Sequence, residues 1–248
     1  MARRRFFVDS IRGGTAELRG DEARHLTRVL RVEPGQRFEI SDSRSAYLAE
    51  IAEARGDRVV FRILEPVSSP ELPVRITLLA ALVKFDRFEW MIEKVTELGV
   101  EWIRPVESAR TEKGLLDASR KRTERWVRIA REAAQQARRL RPPEILPASQ
   151  LGLAFTEPAD YHYFLDENAA PPFLHQLPPA RKLSAHVAIL IGPEGGWTDG
   201  EREAAVQKGW VPASLGPQIL RAETAAAAAI AILVNAWLPS AIGPDLRA

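Results

Sequence analysis

The stretch from Ala185 to Glu201, AHVAILIGPEGGWTDGE, carries three structural signals in succession. Its first seven residues are apolar apart from His186. That run is short for a helix and suits a strand covered on both faces. A turn with three glycines and a proline follows, Gly192-Pro193-Glu194-Gly195-Gly196. Thr198 and Glu201 then stand at the spacing of a capping box, which starts a helix. A buried strand, a glycine-rich turn and a helix in that order form the repeating unit of an α/β domain with a mainly parallel sheet.

The same rhythm extends in both directions. VRITLLAALV (74–83) reads as another buried strand. In FDRFEWMIEKVTELG, Phe88, Met91, Ile92, Val95 and Leu98 mark one helical face, and Gly99 ends it. EWIRPV, YHYFLDE and VPASLG read as strands. Residues 119–141 read as one long basic helix stopped by Pro142-Pro143. ETAAAAAIAILVNAWL is the last helix, and its alanines at 225–229 allow close approach to neighbours. Residues 1–68 differ in character. RRFFVDS, TAELRG, QRFEISDS, AYLAEIAEA and DRVVFRILEPV are β-type segments divided by Gly13-Gly14, Pro34-Gly35 and Gly56-Asp57. One helical interruption, DEARHLTRVLRV, has Leu26, Val29 and Leu30 at helical spacing. The expected organisation is a small β-barrel over 1–68, a linker at 69–73 within the proline- and serine-rich EPVSSPELP, and an α/β domain over 74–248.

Composition sets the outer limits. The chain has 248 residues, 46% hydrophobic and 27% charged, with no cysteine. These values suit a globular protein and exclude disulfides, thiolate metal sites and a cysteine nucleophile. The basic start MARRRFFVDS lacks the apolar core of a signal peptide, and no apolar run is long enough to span a bilayer, so a cytoplasmic location is expected. The net charge is only +2, yet arginines concentrate in two places. One set is Arg3, Arg4, Arg5, Arg12, Arg19, Arg24, Arg28 and Arg31; the other runs from Arg120 to Arg141. Planar guanidinium groups suit phosphate contacts, so the segments fit a polyanion site. Two solvated faces explain them equally well on charge alone.

In parallel α/β sheets ligands bind in the loops after the carboxyl ends of the strands. Here those loops are LDENA, GPEGGWT and LGPQILRAETA. Glycines let backbone approach a ligand closely. A dinucleotide site is excluded by the absence of G-x-G-x-x-G after the first strand, and a phosphate loop by the absence of G-x-x-x-x-G-K-[ST]. Alone, GPEGG reads as a tight turn; paired with a second Gly-Pro turn it reads as a ligand site. Arg221, Glu223 and Thr224 sit at a helix start, where a capping cluster is the structural alternative. His25, His162, His175 and His186 lack metal-ligand spacing, and no metal is expected. Lys94 and Glu97 suit a surface pair, while Trp90, Trp126, Trp210 and Trp237 suit core or interface anchors.

IGPEGGWTDGE, LGPQILRAETA, KFDRFEWMIEKVTELGV and HLTRVLRVEPGQ together resemble the bacterial 16S rRNA (uracil-N3) methyltransferase family of the SPOUT superfamily. The resemblance runs over nearly the whole chain, to Ala226. Ala222 stands where threonine is frequent, Trp197 where phenylalanine is, and VESART matches the family's arginine motif loosely. The resemblance implies a SPOUT-type methyltransferase domain with a trefoil knot, preceded by a PUA-like RNA-binding barrel. It implies S-adenosylmethionine as cofactor. Leu190, Ile191, Gly192, Pro193, Glu194, Gly195 and Gly196 would form one wall of its pocket. Ser214, Leu215, Gly216, Ile219, Leu220, Arg221, Glu223 and Thr224 would form a second, with Leu165 and Asp166 in the third loop. Ile219 and Leu220 would suit an adenine face.

By the same resemblance the reaction is methylation of a uridine N3 in 16S rRNA, within the 30S subunit, by a homodimer. An imide nitrogen is a poor nucleophile until its proton leaves, so positioning, a proton acceptor and nearby cations are needed. Arg221 is the first candidate to stabilise the uracil anion, with Arg110 and Glu194 as further catalytic candidates; the base is not identified. RNA contacts would come from Arg3, Arg4, Arg5, Arg24, His25, Arg28 and Arg31 in the barrel, and from Lys84, Arg87, Arg131 and Arg138 beyond it. The competing readings are a SPOUT enzyme acting on another rRNA or tRNA site, and a non-catalytic RNA-binding assembly factor.

Overall fold

The structure is a computed structural model that describes residues 4–69, 71–168 and 170–238. Two compact units divide the chain: 1–71 with 132–142, and 72–131 with 143–248. The first unit thus takes in a second segment, 132–142, that the sequence reading assigned to the α/β region.

The first unit is a six-stranded sheet of order β1-β4-β5-β6-β3-β2. Its strands are β1 (Arg5–Phe7), β2 (Ile11–Arg12), β3 (Thr15–Arg19), β4 (Arg37–Ser41), β5 (Ala46–Arg55) and β6 (Arg58–Val67). All pairs are antiparallel except β1 with β4. Alternate residues Leu18, Ile40, Ile51, Val59 and Phe61 fill its core, as the period of a half-buried strand requires. Between β3 and β4 the helical segment is not uniform. A five-residue helix, α1 (Gly20–Arg24), passes into a π-helical turn at His25–Val29. Leu26 stays buried, but Val29 and Leu30 are exposed, so the expected apolar stripe breaks there.

The second unit is built on a seven-stranded parallel sheet, order β10-β8-β7-β12-β11-β13, with β9 beside β8. The strands are β7 (Val74–Ala81), β8 (Trp102–Glu107), β9 (Glu144–Ile145), β10 (Ser149–Gln150), β11 (Tyr161–Leu165), β12 (Ala185–Ile191) and β13 (Val211–Ala213). β12 pairs with β7 from Ala185–Val74 to Ile191–Ala80, so the stretch that decides the fold lies inside the sheet. Its continuous apolar run is explained by cover on both faces. Two helices, α2 (Phe85–Glu97) and α8 (Ala222–Trp237), pack on one another, and α8 also lies on β7. Gly99 ends α2 in a left-handed conformation, with bonds from Gly99 N to Thr96 O and from Val100 N to Val95 O. Trp126, Trp210 and Trp237 are buried, but Trp90 is 44% exposed and anchors no core.

The basic helix is two helices, not one. α3 (Leu115–Arg120) tightens into i→i+3 bonds at Lys121 and Arg122, and α4 (Thr123–Gln136) starts anew. α4 also ends before the prolines. Arg138 N bonds to Gln135 O and Arg139 N to Ala134 O, with Arg138 left-handed at φ 52°. This is a Schellman stop with arginine in the place glycine usually takes. Short elements absent from the sequence reading are β2, β9, β10, α5 (Leu151–Ala154) and α6 (Phe173–Gln176). The remaining helix, α7 (Asp199–Gln207), starts on the expected capping box, Thr198 with Glu201.

Two loops are stitched together at one end of the sheet. Phe173 N bonds to Ser214 O, Ser214 N to Pro171 O and Asp166 N to Ala213 O, so the segment after β11 is laced to β13 and the residues after it. From that edge the chain returns to β7 as α8.

Candidate functional site

The three loops after β11, β12 and β13 meet at the carboxyl ends of these strands. Residues 165–167, 191–193, 196–197, 214–216, 218 and 220, with Ala222 and Ala225 of α8, line one cavity. A second cavity of about 500 Å³ adjoins it, lined among others by Asn168, Phe173, Leu174, Pro217 and Ile232. Glu167, Ser214, Leu215 and Gly216 line both.

Backbone without side chains shapes the first cavity. A Cβ on Gly192 would lie 3.0 Å from the indole of Trp197. Gly196 is left-handed at φ 69°, and a Cβ there would run into the Glu167 carboxylate. Trp197 is buried and donates its indole N–H to Leu165 O at 2.8 Å, which joins the first loop to the second. Asp166 is buried and bonded to Arg202 through both carboxylate oxygens, at 2.8 and 3.2 Å; it also accepts from Asn168 N at 3.1 Å. Asp166 thus braces its loop and has its charge balanced by Arg202. In the third loop Ser214 Oγ accepts from Gly216 N at 3.2 Å.

Two arginines hold the glycine-rich turn from outside. Arg110 donates to Gly195 O, and Arg87 pairs with Glu194. The backbone beside Arg110 is fixed in turn: Ala109 N donates to Glu201 Oε1 at 2.8 Å, while Thr198 N donates to Oε2 of the same carboxylate at 2.8 Å. The glutamate that caps α7 therefore also seats the Arg110 loop.

The expected site residues separate into groups. Leu165, Asp166, Ile191, Gly192, Pro193, Gly196, Ser214, Leu215, Gly216 and Leu220 line the first cavity. Leu190 does not: strand side chains alternate, and it packs on the opposite side with Leu79 and Phe164. Ile219 is 81% exposed and stands clear of the cavity, so the expected adenine face rests on Leu220 alone. Glu194 and Gly195 lie exposed on the outer side of the turn. Glu223 is buried beside the cavity, not in its lining, with Oε2 lacking a partner, and Thr224 is exposed. Arg221 is the exposed N-cap residue of α8, and its side chain caps nothing. Arg221 is thus solvated, as the structural alternative has it, whereas Glu223 is buried rather than solvated.

Among the expected RNA contacts, Arg5 is a correction. Its side chain is 3% exposed and pairs with Glu39 at 2.9 Å, with Ser69 Oγ on another nitrogen, so it holds the first unit together. Arg138 pairs with the same Glu39 at 3.1 Å. Arg4 is half-buried over the Phe6 ring, and Arg24 pairs with Asp21. His25, Arg28 and Arg31 are exposed. Lys84 is exposed at the N-cap of α2, Arg87 is taken by Glu194, and Arg131 is half-buried. Arg3 lies outside the described residues. Glu167, Gln218 and Ala225 line the cavity beyond the expected residues, as do Trp197 and Ala222, which the sequence marks only as departures from the family pattern. Glu167 lies beside Asp166 in LDENA, and nothing in the spacing distinguishes the two carboxylates.

Among the described residues, neither cavity has a lysine, arginine or histidine in its lining. A phosphate-rich ligand would need such cations. A slot with open backbone and two carboxylates, Asp166 balanced by Arg202 and Glu167 without such a pair among the described residues, suits instead a heterocycle attached to a cationic centre. S-adenosylmethionine, with its adenine, sulfonium and ammonium, fits that set of groups.

The comparisons with known proteins agree with this geometry. Residues 70–234 match the RNA methyltransferase domain family, and residues 18–64 match the RNA methyltransferase PUA domain. A protein named ribosomal RNA small subunit methyltransferase E from Synechocystis sp. is 35% identical over 244 residues, covering 91% of this chain and 74% of that one. The protein of that name from Bacillus subtilis is 31% identical over 225 residues, covering 85% and 86%. A crystal structure of the Neisseria gonorrhoeae protein of that name, bound to S-adenosyl methionine, superposes with a TM-score of 0.84 at 31% identity, covering 95% of this chain and 98% of that one. The parallel sheet with its returning last helix is the SPOUT-type fold, behind an N-terminal PUA domain. The chain belongs to the RNA methyltransferase family whose curated members carry the name ribosomal RNA small subunit methyltransferase E.

Proposed function

We propose that the chain transfers a methyl group from S-adenosylmethionine to N3 of a uridine in 16S rRNA of the small ribosomal subunit. The observation that carries the reading is the cation-free, glycine-opened cavity at the carboxyl ends of β11, β12 and β13, in a chain of this family. S-adenosylmethionine, when bound, supplies an electrophilic methyl group on a sulfonium. Gly192, Gly196 and Gly216 would leave room for it, Leu165, Ile191 and Leu220 would cover its apolar parts, and the Glu167 carboxylate would complement its positive charge.

The uridine must lose its N3 proton and leave its stack to present that nitrogen. The Arg221 side chain makes no hydrogen bond or ion pair with the described residues and stands where α8 begins beside the cavity. Its guanidinium is a cation free to stabilise the negative charge that develops on the uracil oxygens. Arg110 acts one step back by holding Gly195 O, and Glu194 is engaged with Arg87, which removes it from the chemistry. The working unit on this reading is a cytoplasmic homodimer acting on 16S rRNA in the 30S subunit.

Titration calorimetry of the purified chain with S-adenosylmethionine tests the cofactor reading. Saturable binding at micromolar concentration is expected, and no heat at millimolar ligand would end it.

A further inference from the structure

The segment HLTRVLRV (His25 to Val32) spends two large apolar residues on the surface. Had the α-helix continued, Leu26, Val29 and Leu30 would share one inward face. The π turn prevents this: Leu30 N reaches back to His25 O at 3.1 Å, five residues away, and the wider turn shifts the face that follows. Leu26 and Val32 remain in the core at 0% and 7% exposure, while Val29 and Leu30 stand out at 65% and 41%.

The conformation is held in place. Thr27 Oγ1 donates to Gly56 O at 2.6 Å, and Val32 N to Leu26 O at 3.1 Å. Arg31 is left-handed at φ 48°, an unfavourable state for a side chain of this kind. Single exposed apolar residues are ordinary on any surface. An adjacent pair raised on a strained turn and flanked in sequence by Arg28 and Arg31 is not. His25, Arg28 and Arg31 are exposed, and their side chains make no hydrogen bond or ion pair with the described residues. Apolar tips flanked by arginines complement a chain that alternates bases with phosphates. A paired duplex offers only the phosphates, whereas an unpaired loop offers both.

We propose that Val29 and Leu30 form an apolar wedge that packs against unpaired bases of the RNA, while Arg28 and Arg31 hold the phosphates on either side. The proposal rests on the RNA reading above and adds a preference for unpaired RNA seated in the first unit.

Fluorescence anisotropy of the full chain tests it with two labelled probes of equal length, a hairpin with a uridine-containing unpaired loop and a fully paired RNA duplex. The wild type binds the hairpin more tightly. The double variant Val29→Ser/Leu30→Ser loses about tenfold in hairpin affinity, down to the duplex level, with the salt slope unchanged. Arg28→Ala weakens both probes and makes the logarithmic salt slope shallower by about 0.7 to 0.9. A double variant that keeps the wild-type preference for the hairpin overturns the wedge. So does a loss of preference accompanied by a changed mass in light scattering or a weakened S-adenosylmethionine affinity. A wild type that binds neither probe overturns the RNA reading itself.

Discussion

Trp197 closes the gap between two ligand loops by donating its indole N–H to the carbonyl of Leu165, 32 residues earlier, at 2.8 Å in a buried setting. The tryptophan stands at the end of the glycine-rich turn and itself lines the cavity. One hydrogen bond therefore fixes the distance between the wall after β11 and the wall after β12. Trp197→Phe keeps an aromatic ring and leaves the carbonyl unpaired. The expected cost is about 1–3 kcal/mol in denaturant unfolding, the cost of a buried polar group without its partner. Cofactor affinity should fall with it, as read by calorimetry. Unchanged values in both experiments would show that the bond is not needed.

Gly196 gives a sharper contrast. A side chain there meets both a left-handed backbone and the Glu167 carboxylate. Gly200, on α7, has open space around the position of a Cβ. Gly196→Ala should weaken S-adenosylmethionine binding at least tenfold, or about 1.4 kcal/mol, while Gly200→Ala leaves it within twofold. Equal affinities for the two variants would remove Gly196 from the site.

Arg5 and Arg28 test which arginines serve the fold and which serve a partner. Arg5→Ala leaves the buried Glu39 with Arg138 alone among the described residues, and breaking such a pair costs about 3–5 kcal/mol. Arg28→Ala, at an exposed position, should change thermal stability by less than about 0.5 kcal/mol. Calorimetric melting of the two variants distinguishes them, and comparable losses would contradict the separation.

A histidine inside the parallel sheet sets a pH dependence of stability. Burial first, and the nearby Arg75 second, lower the His186 pKa below its ordinary value, and its ring bonds to Thr77 Oγ1 at 2.8 Å. The folded state thus favours the neutral ring more than the unfolded state does. The contribution is present above the unfolded value near 6.5 and is lost as pH falls through the lower folded value. Urea unfolding at pH 7.5 and pH 5.5 should show lower stability in acid, and His186→Gln should reduce the difference. An undiminished difference in the variant would assign the acid sensitivity to other groups.

Much of the fold was legible because its signals are local. Val74 to Val83 and Ala185 to Ile191 are apolar runs that only a covered parallel sheet explains, and Thr198 with Glu201 fixed the start of α7. What escaped the sequence was set by non-local hydrogen bonding or by backbone states without a composition cue. Arg138 takes a left-handed stop that glycine would have announced, and the π turn at His25 moves Val29 and Leu30 off the stripe their spacing implies. The burial of Arg5 depends on Glu39, thirty-four residues away. In the site the glycines and the loop positions were readable. The division of labour was not: Glu194 meets Arg87 and Arg110 meets Gly195 only through the tertiary fold.

The most direct test of the account is methyl transfer from S-adenosylmethionine by the purified chain, with nucleoside mass spectrometry of the product. The substrate is small ribosomal subunits from a strain lacking its own enzyme of this family. The account predicts N3-methyluridine in 16S rRNA with the wild type, and at least a hundredfold slower formation with Arg221→Ala at saturating cofactor, a barrier increase of about 2.7 kcal/mol. Methylation at a different atom or nucleoside, or none with cofactor bound, would contradict it.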